Sequence, residues 1–154
     1  MVTVREGRVP DDVESCAAIW VAALAARDGT VDAQTMAQRV RESFARPLVR
    51  FGVATGGRSG FVTVESGRAD PREAYLHYLA VDPVGTEAGV GRALMEDAVS
   101  HASSAGFERL ALEVRTDNTR AIGLYERLGF VQDGPATEHP TAGYLMQPYA
   151  LTLR

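Results

Sequence analysis

Val81-Asp82-Pro83-Val84-Gly85-Thr86-Glu87-Ala88-Gly89-Val90-Gly91-Arg92-Ala93-Leu94 reads as the end of a β-strand, a tight turn and the start of a helix. Pro83 stops a strand ladder because it has no N–H to donate. Gly89 and Gly91 leave the backbone without Cβ atoms where the helix begins. The unpaired first-turn N–H groups and the positive helix end then face outward, where a phosphate or pyrophosphate can sit. The same two glycines also suit a plain tight turn with close helix–sheet packing. Two nucleotide-binding patterns fail on this stretch. The dinucleotide fingerprint needs a third Gly at position 94, which is Leu. The phosphate loop of NTPases needs a Lys, and the chain has none.

Upstream, Ala74–Val81 (AYLHYLAV) is strongly β-prone. Arg50–Thr55 and Phe61–Glu65 are strands around Gly56-Gly57-Arg58-Ser59-Gly60, a hairpin signal. Val2–Val4 is a short strand, and Pro10-Asp11-Asp12 opens a helix on which Val13, Cys16, Ala17, Trp20, Ala23 and Leu24 share helical spacing. Arg27-Asp28-Gly29-Thr30 breaks it, and a more polar helix follows from Asp32 to Phe44. Downstream, Gly89–Ala105 is a helix with Val90, Leu94, Ala98 and Ala102 on one face, closed by Gly106. Leu110–Val114 is a strand, Asn118–Leu128 a helix closed by Gly129, and Phe130–Gln132 and Tyr144–Leu153 the last strands. The order β-α-α-β-β-β-α-β-α-β-β predicts an α/β (α+β) single domain over residues 1–154. Its mixed β-sheet should have about seven strands, with about four helices divided between both faces.

Composition narrows the function. The 154 residues are 45% apolar and 23% charged, ordinary for a globular domain. The net charge of −4 and the absence of a basic block argue against nucleic acid. The longest apolar run, Cys16–Ala26, is too short to cross a membrane, and the first residues lack the layout of a signal peptide. A cytoplasmic location is therefore expected. Cys16 is the single cysteine and sits in an apolar helical stretch, so it is read as a buried inert thiol. His77, His101 and His139 are scattered without metal-site spacing, and no metal is expected. All sixteen basic residues are Arg, which excludes Schiff-base chemistry and is the habit expected of a GC-rich bacterial genome.

A second block, Leu110-Ala111-Leu112-Glu113-Val114-Arg115-Thr116-Asp117-Asn118, leads to Ala121, Leu124-Tyr125 and Gly129-Phe130. V-x-P-x₅-G-V-G-x-x-L followed at this separation by N-x-x-A-x-x-L-Y-x-x-x-G-F resembles the Gcn5-related N-acetyltransferase superfamily. The resemblance covers Ala74–Val131 closely and the remainder in element order. It implies the acyl-CoA N-acyltransferase fold, in which the fourth and fifth strands splay apart. The pantetheine arm of acetyl-CoA would enter that gap along Leu79 and Val81, with a backbone N–H near Leu79 as oxyanion donor. The pyrophosphate would rest on Thr86, Glu87, Ala88, Gly89, Val90, Gly91 and Arg92. An amine attacks the thioester directly in this family, so a base must take its proton and a donor must meet the departing thiolate.

By place in L-Y-x-x-x-G-F, Tyr125 matches the family's donor; a Tyr on a buried helix face can also simply pack. Asn118 matches the residue that contacts the cofactor arm, and is equally an ordinary helix N-cap. Glu113 is the first candidate base: it interrupts an apolar strand expected to be covered on both faces, where a carboxylate is costly unless paired or used. L-E-V-R-x-x-N also resembles ribosomal-protein alanine N-acetyltransferases, in which a Glu there serves as the general base. The alternative is a Glu paired with Arg109 or Arg115. His77 is the second candidate, by its unperturbed pKa; Tyr75 stands where many relatives carry Glu. The family's cofactor loop usually begins Arg/Gln-x-x-Gly-x-Gly, whereas this one has Thr86 and then Glu87, which is expected to weaken acyl-CoA binding. A non-catalytic acyl-CoA-binding or regulatory domain is the competing reading. The acceptor, a small-molecule amine or a protein N-terminus, is expected to meet Arg27–Thr30 and Gly134–Gly143. The C-terminal strands are candidates for pairing across a homodimer.

Overall fold

The computed structural model describes residues 1–67, 69–85, 88–140 and 143–153. It runs β1 (Thr3–Glu6), α1 (Val13–Asp28), α2 (Ala33–Ser43), β2 (Leu48–Thr55), β3 (Gly60–Ser66), β4 (Glu73–Val81), α3 (Val90–Ser104), β5 (Arg109–Arg115), α4 (Thr119–Arg127), β6 (Val131–Gln132), β7 (Thr137–Glu138) and β8 (Leu145–Thr152). The order is the expected one with one addition, the two-residue β7 inside the Pro/Gly-rich loop. The sheet is mixed, in the order β1-β2-β3-β4-β5-β8-β6, with β7 also on β8. Among the described residues only β4 and β5 pair in parallel, and α3 is the crossover that parallel neighbours require. The strand β8 has β5 along one edge and β6 and β7 along the other. Both edges of β8 thus pair within the chain.

Each face of the sheet carries two helices. Val90, Leu94, Ala98 and Ala102 of α3 form the stripe that the periodicity predicts, and Met95 is buried beside them. They pack with α4 against Val62, Val64, Ala74, Leu76, Leu110, Leu112 and Val114. On the other face, Cys16 and Ala17 of α1 and Val40 of α2 meet Phe51, Phe61, Tyr78 and Ala80. Each large side chain sealed this way stabilises the fold by about 1.5–3 kcal/mol. The buried Cys16 thiol is pushed up to about 12, chiefly by burial, which fits an inert packing residue.

Two irregularities in β4 shape everything that follows. Opposite β3, Tyr78 pairs with Thr63 and Leu76 with Val64, so His77 is an extra residue. The Tyr78 N–H donates instead to Thr63 Oγ1, at 3.2 Å. Such a bulge bends the strand and shifts its phase. Ala74 and Leu76 accordingly belong to the α3 side, whereas Tyr78 and Ala80 belong to the α1 side. The second irregularity lies along the other edge. There β4 pairs with β5 at Glu73–Arg109, Ala74–Leu110 and Tyr75–Ala111, and among the described residues at no point beyond. From Leu76 to Val81 the two central strands have parted.

Candidate active site

The gap between β4 and β5 opens toward the N-terminus of α3. Leu79 and Val81 lie on the parted stretch of β4, both half-buried. Beyond it, Gly85 and Gly89 have φ of 116° and 86°, the left-handed region that glycine enters without strain. Gly89 is the N-cap of α3 and has no side chain with which to cap it. Among the described residues, a Cβ on Gly89 would meet nothing within 4 Å, so they leave the space above the helix start open. The starts of α2 and α4 differ, whereas Asp12 at the start of α1 likewise makes no side-chain cap. Asp32 accepts the Thr35 N–H at the start of α2, and Asn118 accepts the Ala121 N–H at the start of α4. First-turn N–H groups at Val90, Gly91 and Arg92, beside open space and a free strand edge, suit an anionic group with an amide-bearing arm. These residues therefore fit an acyl-CoA. Arg92 is exposed and pairs with Glu96 at 3.4 Å. Ala88 is exposed, while Thr86 and Glu87 lie outside the described residues.

Tyr125 is held by the end of its own helix. The Phe130 N–H donates to the Tyr125 carbonyl and the Gly129 N–H to the Glu126 carbonyl. That pair of bonds is the Schellman closure, with Gly129 at a φ of 98°. The Phe130 ring lies 6.0 Å from the Tyr125 ring. L-Y-x-x-x-G-F is thus a structural device that pins the tyrosine. The phenol is 7% exposed, and burial pushes it up to about 12, with the Arg27 charge acting the other way. No buried side-chain nitrogen or oxygen among the described residues lacks a partner. Asn118 caps α4, its Oδ1 at 3.3 Å from the Ala121 nitrogen.

Glu113 departs from the burial expected of it. It is exposed on β5, between the buried Leu112 and Val114. Strand alternation explains the difference: Leu112 and Val114 face α3 and α4, while Glu113 points to the opposite side, left uncovered there. Its expected ion-pair partners are also otherwise engaged. Arg109 pairs with Glu73 and Asp133, and Arg115 with Asp28 and Asp117. Glu113 instead accepts the Tyr75 hydroxyl, at 3.2 Å, across the last paired rung of β4 and β5. Tyr75 is thereby joined to the site as a donor, a role that its β-prone surroundings gave no means of reading.

His77 is engaged as well. Its Nδ1 lies 3.0 Å from Glu65 Oε2, its ring stacks on Tyr78 at 4.3 Å, and Arg46 reaches the same carboxylate at 3.2 Å. Glu65 is 4% exposed, a buried carboxylate that the sequence signalled only as the polar end of an apolar run. At the rim, Arg115 bonds Asp28 from the end of α1 and lies 4.4 Å over the Tyr144 ring. Asp28, in one expected acceptor segment, is thus linked through Arg115 to Tyr144, the residue just after the other. No group of metal-ligating side chains occurs among the described residues, and no helix among them is long and apolar enough to cross a membrane.

Comparison with known proteins agrees with this architecture. Residues 15–130 match the acetyltransferase (GNAT) family. Ribosomal protein bS18-alanine N-acetyltransferase of Escherichia coli K12 is 48% identical over 58 residues, 38% of this chain and 39% of that protein. The match thus spans about two-fifths of that relative's length. The crystal structure of the Escherichia coli ribosomal-protein-S18-alanine N-acetyltransferase superposes with a TM-score of 0.75 at 24% identity, over 99% of this chain and 94% of that one. Salmonella typhimurium yncA, solved with its cofactor acetyl-CoA, superposes with the same TM-score of 0.75 at 17% identity, over 100% and 95%. By the extent of the family match, and by a fold that parts β4 from β5 above an uncapped α3, this chain belongs to the acetyltransferase (GNAT) family.

Proposed function

We propose that the protein transfers an acetyl group from acetyl-CoA to a primary amine by direct attack. The observation that carries this reading is the parting of β4 from β5 after Tyr75, beside a helix start with no side-chain cap. When bound, acetyl-CoA supplies an activated thioester and a stable thiolate leaving group. The free edge of β4 at Leu79 and Val81 takes the arm, and the first-turn N–H groups of α3 take the pyrophosphate. A backbone N–H near Leu79 holds the developing oxyanion.

Glu113 takes the proton that the amine must lose, with Tyr75 holding the carboxylate in place, and His77 is the second candidate for that proton. Tyr125 gives its hydroxyl proton to the sulfur. A new C–N bond forms as the C–S bond breaks, and the proton lost by nitrogen balances the one gained by sulfur. Because burial pushes Tyr125 up to about 12, its hydroxyl still carries the proton across the range in which amines begin to lose theirs. The relatives' names point to polypeptide α-amines as the first acceptors to try, ahead of small amines. Free-CoA release should be measured over a panel of peptides with free N-termini and of small amines, alongside calorimetric titration with acetyl-CoA. Binding with turnover of at least one acceptor is expected. No heat and no thermal shift at millimolar acetyl-CoA would sink the reading.

A further inference from the structure

We infer that Arg58, in the β2–β3 hairpin, is the positioning residue of the acyl-CoA turn, an inference that rests on the acyl-CoA reading above. Asp82 follows directly on β4, and the hairpin grips it on both sides of the peptide. Its N–H donates to the Ser59 carbonyl at 2.7 Å. Its carbonyl accepts both Nε and Nη2 of Arg58, at 2.9 and 2.7 Å. Its Oδ1 accepts the Val84 N–H at 2.9 Å, closing the turn on itself. Pro83, between them, has no N–H and a fixed φ.

The same arginine reaches the far end of this turn. A Cβ on Gly85 would stand 2.7 Å from Arg58 Cγ. The aliphatic stem therefore lies where a side chain at position 85 would go, while the guanidinium holds position 82. A third contact ties the hairpin to the helix itself. A Cβ on Gly60 would meet the Ala80 carbonyl at 2.9 Å, Leu94 Cδ1 at 3.0 Å and Val90 Cγ1 at 3.2 Å. Bare backbone at Gly60 lets the hairpin seat directly on the first turn of α3. One element remote in sequence thus fixes where β4 ends, how the turn leaves it and where the anion-binding helix begins. Arginine is needed for this because its planar fork puts two donors on one carbonyl, which the single ammonium of lysine does not reproduce.

The test uses Arg58→Ala, Arg58→Lys and Arg58→Met in the full chain. Arg58→Met keeps the stem over Gly85 and loses the fork, so it reads the clamp even where Arg58→Ala fails to fold. Arg58→Ala and Arg58→Met should raise KM and Kd for acetyl-CoA about tenfold, with kcat and the amine KM within about twofold. Lys should recover less than half of that loss, whereas full recovery would show charge rather than position at work and overturn the inference. Hydrogen exchange of peptides covering residues 82–85 in the cofactor-free protein should quicken in the same variants. Gly85→Ala should cost less in the Arg58→Ala background than in the wild type, since the two share one contact. A wild type that turns over normally, with unchanged acetyl-CoA KM and unchanged exchange in Arg58→Met, overturns the inference alone. A wild type that binds no acetyl-CoA overturns the enzyme reading and takes this inference with it.

Discussion

Tyr125 shows how a short motif packs the residue that we propose as the proton donor. Gly129 and Phe130 close the helix over the tyrosine and bury its ring. That burial is what drives the phenol up to about 12. A donor must be protonated, so its fraction in the active form falls only as pH approaches that value. The pH–rate profile should therefore rise as amine and base lose their protons and show no fall below about pH 10. Tyr125→Phe should lower kcat by about a hundredfold with little change in the acetyl-CoA KM, as read by CoA release. A descending limb near neutral pH that disappears in Tyr125→Phe would contradict this account. Glu113 marks the limit of reading single residues. A carboxylate among Leu112 and Val114 is indistinguishable in sequence from one sealed on both faces. Its exposure depends on what covers the other side of β5, which is a tertiary matter.

At the scale of elements, periodicity and caps were legible, and interruptions of pairing were not. The α3 stripe, the Gly106 and Gly129 closures and the hairpin around Gly56–Gly60 all follow from local spacing. The bulge at His77 does not, because AYLHYLAV carries no Gly or Pro to announce an extra residue. Nor does the parting of β4 from β5 after Tyr75, which no local spacing in either strand announces. The resemblance to a family supplied the splay, which composition and periodicity alone leave unread. The strand β7 was missed because two residues carry no period at all. Asn118 is the position where both kinds of reading meet, since its Oδ1 caps α4 and its motif assigns it to the cofactor arm. Asn118→Ala should lose about 1 kcal/mol of stability in chemical denaturation, the ordinary cost of an N-cap. A loss of acetyl-CoA affinity beyond what that destabilisation causes, measured by calorimetry well below the midpoint, would show the second role.

For the molecule as a whole, two central strands held together by one short run of ladder make the cofactor a structural partner. A ligand that binds only the folded state stabilises it by about 2.7 kcal/mol at a hundred times its Kd. For a chain of this size that corresponds to a rise of several degrees in Tm, at roughly 2–4 °C per kcal/mol. Acetyl-CoA should produce such a rise in a thermal melt, and free CoA a comparable one if the turn and the β4 edge supply most of the binding. An acetyl-CoA shift below one degree at saturating concentration would mean that the free edge is not where the cofactor binds.

The place where the sheet parts also divides the chain. Every strand through β4, together with α3, precedes Gly106, and β5 through β8 with α4 follow it. The two pieces share a single core, in which Leu110, Leu112, Tyr125 and Phe130 of one meet Val64, Leu76 and Leu94 of the other. A break in the short link between α3 and β5 would cut no strand and no helix. The protein is thus built for fragment complementation: residues 1–105 and 106–154, produced separately, should reassemble into one sheet. On the proposed reading acetyl-CoA touches the first fragment through the turn and the second through Asn118 and Tyr125; it would then act as the bolt across the joint, and reconstitution should become concentration-dependent in the nucleotide.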